Sequence, residues 1–272
     1  MNFNNRIIDC FIFYNELDML NMRLHELNDK VDLFILIEST HTFSLEKKPL
    51  YYQENKHLFD QFNHKIRSFV IDDLEKLKKN NWQREEYSRD YINTALSKLN
   101  ILKDDIILIS DVDEIPNPGI FDEIKFRLVN NRVSKLVLCQ RFFYYNFGCE
   151  NKEKNRNQKS RNTIAILYNN LINTSPQTLR GRRGLFKRVL NGGWHCSYFG
   201  GVNNIIDKIK QFSHQEYNNA KYLNLDKILN HITTNTDLFN RPNEKWEFND
   251  LDQDLNLPKY KDLIIGNLFS TK

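Results

Sequence analysis

The chain has 272 residues, with 39 basic and 35 acidic side chains and a formal net charge of +4. So small an excess excludes a strongly basic nucleic-acid coat, because neutralising phosphates takes a clustered surplus of Lys and Arg. With 40% hydrophobic and 12% aromatic residues, a chain this long buries a full core, which excludes wholesale disorder.

In chain order, Arg6 to Tyr14 is an almost unbroken apolar run and reads as a first strand. Leu17, Leu20, Leu24 and Leu27 recur at three and four residues and predict a helix. Val31 to Glu38 is a second apolar strand and Ile66 to Ile71 a weaker third. Trp82 to Leu99 predicts a helix with Tyr91, Ile92, Ala95, Leu96 and Leu99 on one face. Asp105 to Ser110 is a fourth, strongly apolar strand. Continuous apolar strands alternating with amphipathic helices imply an α/β fold, with a mostly parallel central sheet and helices on both faces.

Beyond residue 120 the texture changes. Phe121 to Val129 reads as helical and Lys135 to Tyr145 as one long strand. Residues 150–162 read as a polar loop, Leu179 to Arg188 as a basic stretch, and Tyr222 to Ile232 as a helix. The tail from about 240 is polar. No repeat or Pro/Gly/Ser linker divides the chain. The expectation is one domain over 1–272, with a nucleotide-type half over 1–118 and a mixed half over 119–272 that completes the site. No run approaches the roughly 18 to 20 apolar residues of a membrane span, and no signal peptide is read. A soluble, cytoplasmic protein is expected. Cys10, Cys139, Cys149 and Cys196 lack CxxC spacing and read as reduced, partly buried thiols.

The sharpest local feature is Ser110-Asp111-Val112-Asp113-Glu114-Ile115-Pro116, directly after the fourth strand. Ligands in open α/β sheets bind beyond the carboxyl ends of strands. Asp111 and Asp113 are two apart and project to one side of an extended segment. Two hard oxygen ligands there suit Mg²⁺ or Mn²⁺ bridging a diphosphate. The plainer alternative is an acidic turn before Pro116. In the helix before it, Arg84, Glu85 and Ser88 are polar yet fall within or beside the apolar arc, at the sheet edge that Asp111 shares. Arg84 there suits a phosphate held by two parallel hydrogen bonds, or else an ion pair with Glu85 or Glu114. Arg89 reads as a solvated or secondary contact. Asn15 and Glu16 follow the first strand, and Glu38 follows the second. These suit hydrogen bonds to a base or ribose; Glu16 alternatively compensates a helix N-terminus.

Taken together these segments resemble glycosyltransferase family 17, whose enzymes add the bisecting N-acetylglucosamine to N-glycans. The pieces are Ile8-Asp9-Cys10-Phe11-Ile12-Phe13-Tyr14-Asn15-Glu16-Leu17-Asp18, Phe34-Ile35-Leu36-Ile37-Glu38-Ser39 with Thr42-Phe43, Trp82-Gln83-Arg84-Glu85, the acidic segment from Ser110, and Gly193-Trp194-His195-Cys196-Ser197. The resemblance implies a GT-A-type fold, a UDP-N-acetylglucosamine donor, a glycan acceptor and inversion to a β-linkage. It makes 119–272 the acceptor-side half. It makes Asp111 and Asp113 the Asp-x-Asp motif that holds the donor through Mn²⁺ or Mg²⁺. Glu114 and His195 are then candidate general bases. His195 is alternatively a further metal ligand or a core histidine, and His214 and Glu216 compete for either role. Arg183, within the basic stretch that also carries Arg180, Arg182, Lys187 and Arg188, guides the diphosphate or an acidic acceptor, or else lies in a solvated loop. Phe143, Tyr144, Tyr145, Trp194 and Tyr198 pack in the core or stack on sugar rings. Two other readings stand beside this one. They are a metal-dependent phosphatase or phosphotransferase, and a non-catalytic sugar-binding protein on a transferase scaffold.

Overall fold

The computed structural model describes residues 5–77, 80–156, 160–242 and 244–265. Strand β1 (Ile7–Ile12) leads into helix α1 (Leu17–Leu27), then strand β2 (Leu33–Ser39). A short helix α2 (Tyr51–Glu54) precedes β3 (Ile66–Ile71), and a long helix α3 (Asn81–Ser97) precedes β4 (Ile106–Asp111). β1 lies between β2 and β4 and runs parallel to both; β3 adds parallel to β2. Alternate strand residues serve opposite faces. Phe11, Phe34 and Leu108 pack with Leu20 and Leu24 of α1. Ile8, Cys10, Ile35 and Ile107 pack with Ile92, Ala95 and Leu96 of α3. Helix α3 opens with a capping box: Asn80 Oδ1 accepts from Gln83 N at 3.0 Å, and Gln83 Oε1 accepts from Asn80 N at 3.2 Å.

The second half departs from expectation in three places. The long strand expected over Lys135 to Tyr145 is two strands in two sheets. After β5 (Glu114–Pro116) and α4 (Phe121–Lys125), β6 (Lys135–Cys139) joins the first sheet and β7 (Arg141–Tyr144) the second. The chain changes sheet at Gln140. Its side chain donates to the Ile115 carbonyl at 2.9 Å, and its backbone N–H to the Ser160 carbonyl at 2.9 Å.

The expected polar loop holds β8 (Cys149–Glu150), α5 (Lys152–Arg156) and the start of β9 (Arg161–Leu167); its positions 157–159 lie outside the described residues. β9 inserts antiparallel between β4 and β6, so the sheet is mixed, in the order β6-β9-β4-β1-β2-β3. After α6 (Tyr168–Leu171), the basic stretch forms most of α7 (Pro176–Arg182) and β10 (Lys187–Val189), which adds to the outside of β6. Arg182, Lys187 and Arg188 are solvated.

β11 (Gly193–Ser197) pairs antiparallel with β5 and parallel with β7. Gly193 has φ +124°, and a Cβ there would sit 2.1 Å from the Ile115 carbonyl oxygen. Only glycine lets β11 lie this close to β5. Helices α8 (Gly201–Gln211) and α9 (Leu225–Thr233) and strand β12 (Glu247–Phe248) follow; β12 completes the second sheet, in the order β12-β8-β7-β11-β5. The four cysteines are buried, unbridged thiols, Cys139 keeping 8% exposure, and burial pushes the Cys10 and Cys196 thiols up. Among the described residues no helix is long and apolar enough to cross a membrane.

Candidate active site

Asp111 is the last residue of β4, and the chain turns through Val112 and Asp113 before re-entering as β5. This turn is held from below by Arg23 of α1, a fully buried guanidinium. Its Nη1 donates to the carbonyls of Asp111, Val112 and Glu114 at 3.0 to 3.1 Å. Its Nε and Nη2 donate to Asp9 at 2.8 and 2.6 Å, and Nη2 also to Ser110 Oγ at 2.6 Å. Sequence reasoning missed this pair. The signal was present: Asp9 interrupts an apolar strand, and Arg23 lies within the Leu20–Leu24–Leu27 face.

The turn opens on a cavity of about 380 Å³. Its walls come from the ends of β1, β2 and β4, the first turns of α3, strand β11 and helix α8. Glu16, Glu38, Glu85, Asp111, Asp113 and His195 all line it, as does Glu114. The structure therefore brings together most of the residues expected from sequence. Asn15, Arg84 and Arg183 are not among the described lining residues.

Arg84 forms no ion pair with Glu85 or Glu114 among the described residues. Its Nη1 donates to the Phe43 carbonyl at 2.6 Å and Asn81 Oδ1 at 2.8 Å. The helix is turned so that Glu85, Ser88 and Arg89 face the site; Arg89 lies about 140° around the axis from Arg84. Arg89 is correspondingly buried rather than solvated, at 2% exposure. Its Nη2 donates to Glu85 at 2.8 Å and to Asp111 Oδ1 at 3.1 Å. Arg183 donates to the Arg180 carbonyl at 2.8 Å, supporting its neighbour from behind. Asn15 offers its carbonyl to Leu17 N–H at the start of α1.

From the basic stretch, the arm that reaches the site is Arg180 of α7. It grips Glu114 with both Nη atoms, at 2.7 and 2.5 Å, and reaches Asp111 Oδ2 at 2.8 Å. Glu114 also accepts from the Asp111 N–H at 3.0 Å. Burial opposes charge on Asp111, yet Arg180 and Arg89 hold its carboxyl well below the usual carboxylate range. Burial likewise opposes charge on Asp113, where Lys208 of α8 and then His195 lower it instead. Lys208 Nζ stands 2.8 Å from Asp113 Oδ2 and 3.7 Å from Glu16 Oε1. Nothing in the sequence pattern singled out Lys208, which sits on the polar side of an ordinary amphipathic helix.

Other expected residues have definite settings. Glu16 Oε2 accepts from the N–H groups of Tyr14 and Asn15 at 3.3 and 3.1 Å. Glu38 is 1% exposed; its Oε1 accepts from Tyr52 N–H at 3.1 Å and Lys48 Nζ at 3.4 Å. Its Oε2 is buried with no hydrogen-bond partner among the described residues, and burial raises the carboxyl. His195 stacks on Phe142 at 4.6 Å. Its Nδ1 is 3.3 Å from the Asn162 amide nitrogen and its Nε2 is 3.9 Å from Asp113 Oδ1. Burial lowers the His195 imidazole and favours its neutral form. His214 Nδ1 is 2.6 Å from Glu216 Oε1, its ring meets Trp82 edge-on at 4.4 Å, and it too lines the cavity. Phe143, Tyr145 and Trp194 pack in the core, whereas Tyr144 and Tyr198 reach the cavity wall.

Among the described residues, no three His, Cys, Asp or Glu side chains form a ready cation cage. At the acidic turn, Asp113 Oδ1 and His195 Nε2 form a pair of donors 3.9 Å apart. A single cation at about 2.1 Å from each donor spans up to about 4.2 Å, so 3.9 Å is within reach. Small divalent cations are commonly bound by one or two carboxylates plus substrate phosphates, and the residues present fit that pattern. A nitrogen donor in the set suits Mn²⁺ better than Mg²⁺.

The chain is an α/β protein with an acidic turn at a strand's carboxyl end, the edge at which open α/β sheets bind their ligands. Residues 1–264 match glycosyltransferase family 17, and the chain belongs to that family. The β-1,4-mannosyl-glycoprotein 4-β-N-acetylglucosaminyltransferases of Rattus norvegicus and Homo sapiens are each 33% identical over 116 residues. Those matches cover 41% of this chain and 22% of each relative. Among solved structures, S. aureus TarS aligns with a TM-score of 0.41 at 9% identity, over 85% of this chain and 43% of that one. A 4-diphosphocytidyl-2C-methyl-D-erythritol synthase aligns with a TM-score of 0.40 at 11% identity, over 70% and 90%.

Proposed function

We propose that this chain transfers N-acetylglucosamine from UDP-N-acetylglucosamine to a glycan hydroxyl, with inversion to a β-linkage and with Mn²⁺ or Mg²⁺. The observation that carries the reading is the Asp111–Asp113 turn, which ends β4 and opens on the cavity, in a member of glycosyltransferase family 17. Asp113 and His195 are the residues that would hold the cation. A divalent cation there supplies counter-charge to the departing diphosphate. Asp111 fixes Arg180 at the cavity wall, with Arg89 buried behind it, so the donor meets a guanidinium as well as carboxylates. The unpartnered Glu38 Oε2 is an acceptor for a base N–H or a ribose hydroxyl.

Glu114 is a poor base, because both its oxygens are committed to Arg180. His214 is better arranged: Glu216 accepts a hydrogen bond from its Nδ1–H, a tautomer that leaves Nε2 open to accept from an acceptor hydroxyl. The phosphotransferase reading needs a free nucleophilic carboxylate, whereas Asp111 is bonded on both oxygens.

The test is a nucleotide-sugar panel with Mn²⁺, read as released UDP or GDP. UDP release from UDP-N-acetylglucosamine is expected to need the cation and to fall about 100-fold or more in Asp111→Asn and Asp113→Asn. Full metal-dependent turnover in both variants would sink the reading. For the base, His214→Gln is expected to lower kcat by about 100-fold or more. His195→Gln is expected mainly to raise the Mn²⁺ requirement. The opposite split would exchange the two roles.

A further inference from the structure

The carboxylates of the acidic turn all face protein cations, yet those cations are of two kinds. Arg89 and Arg180 are guanidinium forks that make several directed bonds each, and their side chains are 3% and 13% exposed. They tie Asp111 and Glu114 to helices α3 and α7. Lys208 is a single charge on a flexible stem, 26% exposed, and it makes one close contact, to Asp113 Oδ2 at 2.8 Å. A second carboxylate oxygen, Glu16 Oε1, stands 3.7 Å from the same ammonium. The Tyr198 ring lies beneath it at 5.6 Å. Lys208 therefore sits between two carboxylates, bonded to one and about 1 Å short of the other.

We propose that Lys208 is a built-in counter-ion for the cation position: its ammonium neutralises Asp113 in the donor-free enzyme and moves to Glu16 when a divalent cation enters with the donor. The inference rests on the cation-dependent reading above. A dication and an ammonium bound to one carboxylate repel strongly at so short a range in a partly buried site. The ammonium must leave, and Glu16 is the nearest acceptor already in place. A diphosphate arriving on the same side supplies further negative charge. The cost of displacing Lys208 falls on the cation when it binds alone and is offset when the donor binds too. Cation and nucleotide then favour each other's binding, and by linkage the effect is reciprocal.

The readout is Mn²⁺ affinity, followed by the electron paramagnetic resonance of free Mn²⁺, with and without UDP and corrected for Mn²⁺ held by UDP alone. Wild-type protein is expected to bind Mn²⁺ about tenfold or more tightly with UDP than without. Lys208→Met is expected to bind Mn²⁺ alone about tenfold more tightly than wild type and to lose most of the UDP dependence. Lys208→Arg, which keeps the charge, is expected to retain the wild-type pattern. Lys208→Gln serves as a second neutral variant, with near-ultraviolet circular dichroism confirming the fold of each. Wild-type Mn²⁺ affinity in the neutral variants without UDP overturns the inference while leaving the cation-dependent reading intact. Absence of Mn²⁺ binding by every protein, with or without UDP, overturns both.

Discussion

Arg23 and Asp9 form a buried pair on which the acidic turn rests. Replacing Arg23 alone strands the Asp9 carboxylate and three turn carbonyls in the core. Arg23→Met is expected to destabilise the protein by about 3–5 kcal/mol, measured by urea unfolding. Adding Asp9→Asn removes the stranded charge and is expected to restore a large part of that loss; an unrestored double variant would contradict the charge argument. At this scale the sequence was informative wherever a polar residue broke an apolar pattern. Asp111 and Asp113 stood out because they follow four apolar residues of β4. Lys208 did not, because a lysine on the polar side of an amphipathic helix looks the same whether it faces water or a carboxylate. Arg89 rather than Arg84 reaches Asp111, because the apolar pattern of this helix is too weak to mark its phase.

Elements were legible where their hydrophobic period was local. β1, α1, β3 and α3 fall close to the spans the apolar pattern indicated. The run from Lys135 to Tyr145 was misread as one strand because both halves are apolar. Nothing in a period of two records that a chain passes from one sheet to another at Gln140. Strand β11 depends on a single residue. Gly193→Ala would need φ near +124° and a Cβ within 2.1 Å of a backbone oxygen. The variant is expected to lose more than about 2 kcal/mol of stability, read as a lowered Tm, and to displace His195 two residues on. An unchanged Tm would show that β11 can shift away from β5 without cost.

At the scale of the molecule, two arginines tie the C-terminal segments to the second sheet, Arg141 of β7 through Asp254 and Arg241 through the Tyr144 hydroxyl of β7 at 2.7 Å. Arg141 of β7 holds Glu150 at 2.8 Å and Asp254 at 2.6 Å, and Arg241 holds Asp237 at 2.6 Å. Burial opposes charge on Asp237 and Asp254, but these hydrogen bonds lower both carboxyls overall. A depressed carboxyl contributes stability above its unfolded value, about 3.9, and loses it as pH falls through the folded value. Urea unfolding is therefore expected to give steady stability from about pH 7 to 5 and a fall below about pH 4. Asp237→Asn should lower the stability at neutral pH and flatten that fall; an equally steep acid limb in the variant would assign the loss to other groups.

By itself the sequence determined the α/β class, the order of the first strands and helices, and the acidic turn at the end of β4. Each follows from the spacing of neighbouring residues along the chain. Only the tertiary structure decided which cations answer which carboxylates. Arg89, Arg180 and Lys208 meet Asp111 and Asp113 across 22, 69 and 95 residues of chain. It also decided that β9 runs antiparallel between β4 and β6. Those pairings depend on how separate faces pack around a common core, and local periodicity carries no record of that.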